Sequence, residues 1–256
     1  MEKDATKRFG KRVEYYIKYR PGYPLELLHF LQRELKLEPD SVVADIGSGT
    51  GISSELFLRA GYTVYGIEPN AEMRRAAELQ LSASYSNFMS VDGKAEATGL
   101  PEHAIDLIVA GQAFHWFDRQ LTRKEFLRIQ KPSASVALIW NDRRQDTSFA
   151  NRYENLLRTY AVDYDVVDHR LITPEALTEF FGGSHFGFRM FENIQRFDFI
   201  SLQGRVLSCS YMPMQQEPGF EEMIKDLSEL FDTFQENGAV TMAYNTIVYY
   251  GKLAQD

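Results

Sequence analysis

The chain has 256 residues, 44% hydrophobic and 25% charged, which excludes whole-chain disorder and suits one sizeable domain or a domain with a cap. A net charge of −8, from 28 basic and 36 acidic residues, argues against a surface built mainly for nucleic-acid phosphates. The single cysteine, Cys209, leaves no internal disulfide and no all-cysteine metal cluster, and no apolar run approaches the ~20 residues of a membrane helix. No apolar stretch follows the charged N-terminus, so no secretory signal is visible, and the expected location is the cytoplasm. Lys7, Arg8, Lys11 and Arg12 form the most basic stretch, which reads as a solvated helix face.

The first 140 residues alternate β-rich runs with helical stretches, the pattern of a parallel α/β sheet. Pro24 opens a helix to about Leu37, with Leu25, Leu28, Leu31 and Leu35 on one face. A strand over Val42–Ile46 precedes a helix from about Ile52 to Arg59. A strand over Thr63–Ile67 precedes a helix containing Ala71–Leu81. Short strands follow at Phe88–Val91 and Ile105–Ala110, the latter a continuous apolar run suited to burial on both faces. Asp118 reads as the N-cap of a helix to about Gln130, stopped by Pro132, with a strand at Val136–Trp140. Beyond it, helices are expected at 148–161, from Thr173-Pro174-Glu175 to Gly182-Gly183, at Leu202–Ser210 and at Phe220–Gln235. Strand patterns lie at Phe186–Phe199 and Val240–Tyr250. No boundary is convincing. The expectation is one domain over 1–256, with an N-terminal lid at about 8–36 and an insertion at about 145–185.

The strongest chemical signal is Val42-Val43-Ala44-Asp45-Ile46-Gly47-Ser48-Gly49-Thr50-Gly51, a buried strand running into three alternate glycines and a helix. Such a loop lets a ligand approach the backbone, and the helix start offers free N–H groups. Asp45, two residues before Gly47, would repel a pyrophosphate. It suits instead a ligand carrying an ammonium and a sulfonium, as S-adenosylmethionine does. Glu68 closes the second strand, where a carboxylate accepts both ribose hydroxyls of a nucleoside. The Gly-x-Gly-x-Gly spacing differs from the G-x-G-x-x-G of a dinucleotide site, which counts against an NAD-dependent oxidoreductase.

These motifs, with Ile67-Glu68-Pro69-Asn70, resemble the class I S-adenosylmethionine-dependent methyltransferases. Tyr19-Arg20-Pro21-Gly22-Tyr23-Pro24, Ala95-Glu96-Ala97-Thr98-Gly99-Leu100-Pro101 and Gln112-Ala113-Phe114-His115-Trp116-Phe117-Asp118 are similar to the type 11 subgroup that includes trans-aconitate-methyltransferase-like proteins. The resemblance covers about residues 8–145 well, and Ser210-Tyr211-Met212-Pro213 less specifically. It implies a Rossmann-like, mostly parallel sheet of seven strands with helices on both faces and an antiparallel last strand. S-adenosyl-L-methionine is the implied cofactor and S-adenosyl-L-homocysteine the product.

Carried onto this sequence, the resemblance puts Gly47, Ser48, Gly49 and Thr50 against the methionine part and Asp45 beneath it. Glu68 holds the ribose, and Pro69, Asn70 and Met73 flank the adenine. Lys94 stands where relatives often have Asp and cannot accept from the adenine amine, so Ala95 and Glu96 are expected to make that contact. Gln112 faces the methyl group, and Tyr19 and Arg20 belong to the lid.

Tyr15, Tyr19 and Tyr23 can share a helical face, as core packing or as part of the lid. His115 is the candidate base or positioning residue, and a packed histidine fixing its loop is the other reading. Tyr23, His115, Trp116 and Arg143 are the candidate acceptor contacts. Arg20, Arg143, Arg144 and Arg170 are the cations available for a carboxylate acceptor, which would need no base. The other histidines, His29, His103, His169 and His185, have no metal-ligand spacing. Asp163, Asp165 and Asp168 lack the glycine of a calcium loop, so no metal is expected. Gly111-Gln112-Ala113-Phe114 departs from the Asn/Asp-Pro-Pro-aromatic segment of exocyclic-amine methylation, and Cys209 lies too far downstream for cytosine-C5 methylation. The expected function is methyl transfer by in-line displacement to an oxygen or nitrogen of a small molecule, by a monomer or weak dimer with no nucleic-acid or membrane partner. A non-catalytic S-adenosylmethionine-binding protein is the alternative.

Overall fold

The computed structural model describes residues 12–162, 172–183 and 185–254. Arg170, Lys7, Arg8, Lys11, Asp163, Asp165, Asp168 and His169 lie outside the described residues. In chain order the elements are α1 (Val13–Tyr19), α2 (Leu25–Glu34), β1 (Val42–Ile46), α3 (Ile52–Leu58), β2 (Thr63–Ile67), α4 (Ala71–Ala77), β3 (Phe88–Val91), β4 (Ile105–Gly111), α5 (Arg119–Ile129), β5 (Gln130–Arg143), α6 (Ser148–Tyr160), α7 (Pro174–Phe180), β6 (Phe186–Phe197), α8 (Phe199–Leu207), α9 (Phe220–Phe234) and β7 (Val240–Gly251). The seven strands form one sheet in the order β3-β2-β1-β4-β5-β7-β6. Strands β1 to β5 are parallel, and β7 runs antiparallel to both β5 and β6. The order reverses beside β1, where β2 lies on one side and β4 on the other. A ligand crevice is expected at the carboxyl ends of those strands.

Both faces of the sheet are covered. Val43, Val64, Leu107 and Ile139 pack beneath Leu27, Leu31 and Phe57 of α2 and α3. The other face seats Ile46, Ile108 and Trp140 against Phe126 of α5 and Phe180 of α7. Strands buried on both sides read as continuous apolar runs, which is why β1 and β4 were legible. A separate apolar cluster joins α6, α8 and α9 through Tyr153, Leu157, Leu202 and Leu227, and is closed by Met242 and Tyr244 of β7. The described part of 145–185 is therefore split, since α6 belongs to this cluster and α7 to the sheet face.

Several boundaries differ from expectation: α2 ends at Glu34 and not Leu37, α4 keeps its α-helical form to Ala77 and not Leu81, and β5 runs on to Arg143. Strand β5 begins at Gln130, six residues before the expected Val136, and carries Pro132 within it. Its pairing with β4 jumps from Ile105↔Gln130 to Leu107↔Ser135, and the bulge between them holds the residue that has no N–H to give. Helix α5 therefore ends at Ile129 by turning into a strand, not by meeting the proline. Helix α8 starts at Phe199, three residues before the expected Leu202, because Asp198 accepts from the Ser201 N–H and caps it.

Candidate active site

Strand β1 delivers the chain into Gly47-Ser48-Gly49, with the Gly47 and Ser48 N–H groups both donating to Ile67 O at the end of β2. Gly47 has φ +68°, and a Cβ there would lie 2.7 Å from Ala113 Cβ. Gly49 has φ +57° and faces only Met73 Sδ at 3.8 Å, so its backbone is open on that side. Glu68 spans the loop. Its Oε2 accepts from Gly49 N (2.9 Å) and its Oε1 from Asn70 N (2.8 Å). Burial raises the Glu68 pKa, and these two N–H donors oppose the rise. Asn70 caps α4 by accepting from Glu72 and Met73, which places the buried Met73 beside the loop.

Asp45 is fully buried at the end of β1. One carboxylate oxygen accepts from both Ser53 and Ser54 hydroxyls of α3, each at 2.7 Å, and the other has no partner. Burial raises its pKa from the ordinary value to about 6, against the pull of the two serines. A buried carboxylate with a spare acceptor, next to glycine backbone at a helix start, suits a cationic amino-acid moiety. The chemistry of the donor set therefore fits S-adenosylmethionine: Asp45 for the ammonium end and Glu68 for a ribose.

A cavity of about 190 Å³ opens from this loop. Gly47, Ser48 and Gly49 form one wall, Gln112, His115 and Trp116 a second, and Arg20, Tyr23, Asn141 and Arg143 a third. Gln112 is a non-glycine residue at φ +58°, just beyond β4. Its N–H donates to Ile139 O and its side chain to Asn141 O, and these bonds hold a strained conformation facing the cavity. His115 follows in a single 3₁₀ turn, Phe114–Trp116, with its ring 5.1 Å from that of Trp116. Gly111 lacks the Cβ that would lie 2.6 Å from Tyr23 Oη and 3.1 Å from Ser53 Oγ. Both hydroxyls therefore reach the end of β4. Burial, with Tyr16 and Asp45 adding to it, raises the Tyr23 pKa far above its usual value.

The segment before α2 is pinned by the sheet. Asn141 Nδ2 donates to Gly22 O at 3.1 Å, Asn193 donates to the same carbonyl at 2.8 Å, and Asn141 Oδ1 accepts from Thr246. Tyr19 does not line the cavity. It lies over Gly204 of α8, where a Cβ would meet its ring at 2.1 Å, and Tyr16 takes the cavity-facing place. Asp45, Thr50, Glu68, Pro69, Met73, Ala95 and Glu96 also lie outside the cavity lining. Ala95 is buried in the sheet-face core, and Glu96 Oε1 accepts from Asp118 N, tying the loop after β3 to the loop after β4. Arg143 pairs with Glu154 of α6 and sits over the Tyr153 ring, and Arg144 pairs with Asp146.

Sequence reasoning missed the C-terminal wall: Arg205, Ser210, Tyr211 and Tyr244. The signal for Arg205 was a charge on the apolar face of α8, between Leu202 and Val206. Among the described residues no cluster of His, Cys, Asp and Glu can hold a metal ion, and no helix is long and apolar enough to cross a membrane.

Residues 44–138 match the family model of a methyltransferase domain. The sheet order and the site geometry agree with that match. This is a class I methyltransferase fold. The methyltransferase-fold chain is 20% identical to a putative type II methyltransferase from Anaeromyxobacter dehalogenans, with TM-score 0.68 over 93% of this chain and 100% of that one. It also resembles a phosphoethanolamine N-methyltransferase of Haemonchus contortus solved with phosphomonomethylethanolamine and S-adenosylhomocysteine. That likeness has TM-score 0.56 at 13% identity and covers 96% of this chain and 57% of that one. An uncharacterized methyltransferase-like protein of Schizosaccharomyces pombe is 26% identical over 166 residues, 63% of this chain. The matched stretch spans about three-fifths (62%) of that relative's length.

Proposed function

We propose that the protein is an S-adenosylmethionine-dependent methyltransferase of the type 11 subgroup, acting on an oxygen or nitrogen of a small-molecule acceptor, a carboxylate among the candidates. The observation that carries this reading is the pair of buried carboxylates on the glycine loop: Asp45 with an unpartnered oxygen, and Glu68 bound to the Gly49 N–H. When bound, the cofactor supplies a methyl group on a sulfonium that leaves as a neutral thioether. The chain's own task is then to bind, to align and to exclude water, which suffices for much of the acceleration when the leaving group is already good.

Asp45 holds the ammonium end, with Ser48, Gly49 and Thr50 supplying the loop around it. Glu68, Pro69, Met73, Ala95 and Glu96 serve the nucleoside side. Gln112 is held at the mouth of β4, at the reacting end of the cavity. Tyr23, Trp116 and Arg143 shape the acceptor space, and Arg20 closes it from the N-terminal segment. A carboxylate acceptor needs no base. For a hydroxyl or amine, His115 takes the proton, a reading supported by its position in the cavity wall. The N-terminal segment 8–36 acts as the lid of a single domain. The reading places the enzyme in the cytoplasm, as a monomer or weak dimer without nucleic-acid or membrane partners.

Calorimetric titration with S-adenosylmethionine, S-adenosylhomocysteine and NAD tests it. Binding of the first two, lost in Asp45→Ala and Glu68→Ala, is the expected result. Binding of NAD alone would send the assignment to oxidoreductase chemistry. Binding of the cofactor with no turnover over a broad acceptor panel would favour a non-catalytic binding protein.

A further inference from the structure

Arg205 on α8 lines the cavity yet is only 5% exposed. A guanidinium that deep ordinarily sits against a carboxylate, because an uncompensated buried charge is costly. Its partners among the described residues are all weaker. Nε donates to Tyr244 Oη at 3.3 Å, and Nη1 donates to Ser208 Oγ at 3.3 Å and to Cys209 Sγ at 3.1 Å. Nη2, with two N–H donors, has no partner among these bonds. Nearby, Arg20 donates through Nη2 to Ser208 O, while its buried Nε has no partner. Arg205 and Arg20 thus face the cavity without a carboxylate among these bonds, whereas Arg143 pairs with Glu154. Asp142 is the carboxylate in the lining. A sulfonium at the glycine loop would add one more positive charge to this space.

We propose that the methyl acceptor is a small carboxylate or phosphate anion, and that Arg205 binds its charged group through Nη2. The inference rests on the methyltransferase reading and names the acceptor class for the same cavity. Arginine is suited to the task, since its planar fork matches both anions and its charge survives burial. Tyr244, Ser208 and Cys209 hold the other face of the fork, so the free end is oriented before the anion arrives. Burial by itself raises the Cys209 pKa, but the guanidinium groups of Arg205 and Arg20 outweigh burial and bring it down to about 6.

The test uses the full chain loaded with S-adenosylhomocysteine. It is titrated with succinate, with inorganic phosphate and with neutral succinamide, reading heat and the fluorescence of Trp116 at the cavity. The expected result is saturable binding of at least one anion and none of the amide. Succinate without phosphate marks a carboxylic acid as the acceptor class, and phosphate without succinate a phosphate ester. Arg205→Gln weakens the anion by about tenfold or more, the loss of one charged hydrogen-bonded contact, and leaves S-adenosylhomocysteine binding unchanged. Equal binding of amide and anion, no anion binding to the loaded wild-type protein, or full anion binding by a folded Arg205→Gln would overturn the proposal. The wild-type comparison of succinate with succinamide stands if the variant does not fold. If the wild-type protein fails to bind S-adenosylhomocysteine, the methyltransferase reading itself falls.

Discussion

The two sides of the cavity are built by different means. On the side of β1, β2 and β4, the functional groups come from short stretches of chain: a glycine loop, a strand-end carboxylate and a capped helix start. Their bonds are to backbone N–H groups, as when Glu68 takes Gly49 and Asn70. On the other side, side chains meet across long separations. Arg12 donates to the carbonyls of Leu207, Cys209 and Met212, and Asn141 holds the carbonyl of Gly22. The charge differs too: the buried carboxylates Asp45 and Glu68 sit at the glycine loop outside the cavity lining, while the guanidinium groups of Arg20, Arg143 and Arg205 line the cavity on the second side.

Breaking the first side at its backbone should give the largest effect. Gly47→Val must hold a left-handed φ and force a side chain into Ala113, so we expect cofactor affinity to fall beyond detection by calorimetry. The melting temperature should fall as well, corresponding to about 3 kcal/mol. A variant that binds normally would mean that the loop does not carry the ligand.

On the second side, Glu154→Gln leaves the Arg143 charge buried without its counter-ion. The expected outcome in chemical denaturation is a loss of about 3 kcal/mol, with S-adenosylhomocysteine affinity unchanged. Parallel losses of stability and cofactor affinity would show that the two sides are not independent.

Asp45 gives the smallest and sharpest contrast, because its sign is opposite. Its folded pKa, about 6, lies above the ordinary value, so the folded state keeps a proton that the unfolded chain has released. That group's contribution to stability is greatest at low pH and declines as pH rises towards 6. Asp45→Asn should therefore make the ligand-free protein more stable above that pH, by about 2 kcal/mol, while cofactor affinity drops about tenfold or more. Wild-type affinity should fall as pH drops below about 6, and the variant's affinity should be flat there. An Asp45→Asn protein that is less stable at pH 7.5 would contradict the unpartnered oxygen.

The side of β1, β2 and β4 was legible in the sequence because its information is local. Alternate glycines announce positive φ, Asp45 and Glu68 sit at strand ends that hydrophobic runs delimit, and Asn70 and Asp118 are recognisable caps. The misreadings occurred where a neighbour decides. Pro132 read as a helix stop, but pairing with β4 extends β5 across it through a bulge. Tyr19 was expected in the lid, and the structure lays it over the bare surface of Gly204 while Tyr16 faces the cavity. Arg205 carried no motif, and its placement at the cavity arises only when α8 docks against α6, α9 and β7.

The sequence by itself determined the order of elements in the first 140 residues, the glycine loop and the two strand-end carboxylates Asp45 and Glu68. Hydrogen-bond periodicity, steric restriction of φ and capping act over a few residues and can be read from neighbours in the chain. The tertiary structure decided which tyrosine faces the cavity, which arginine of α8 lines it and which asparagine fixes the N-terminal segment. Burial and charge balance depend on what packs opposite, and the residues opposite are as far apart as Arg12 and Met212 or Gly22 and Asn193.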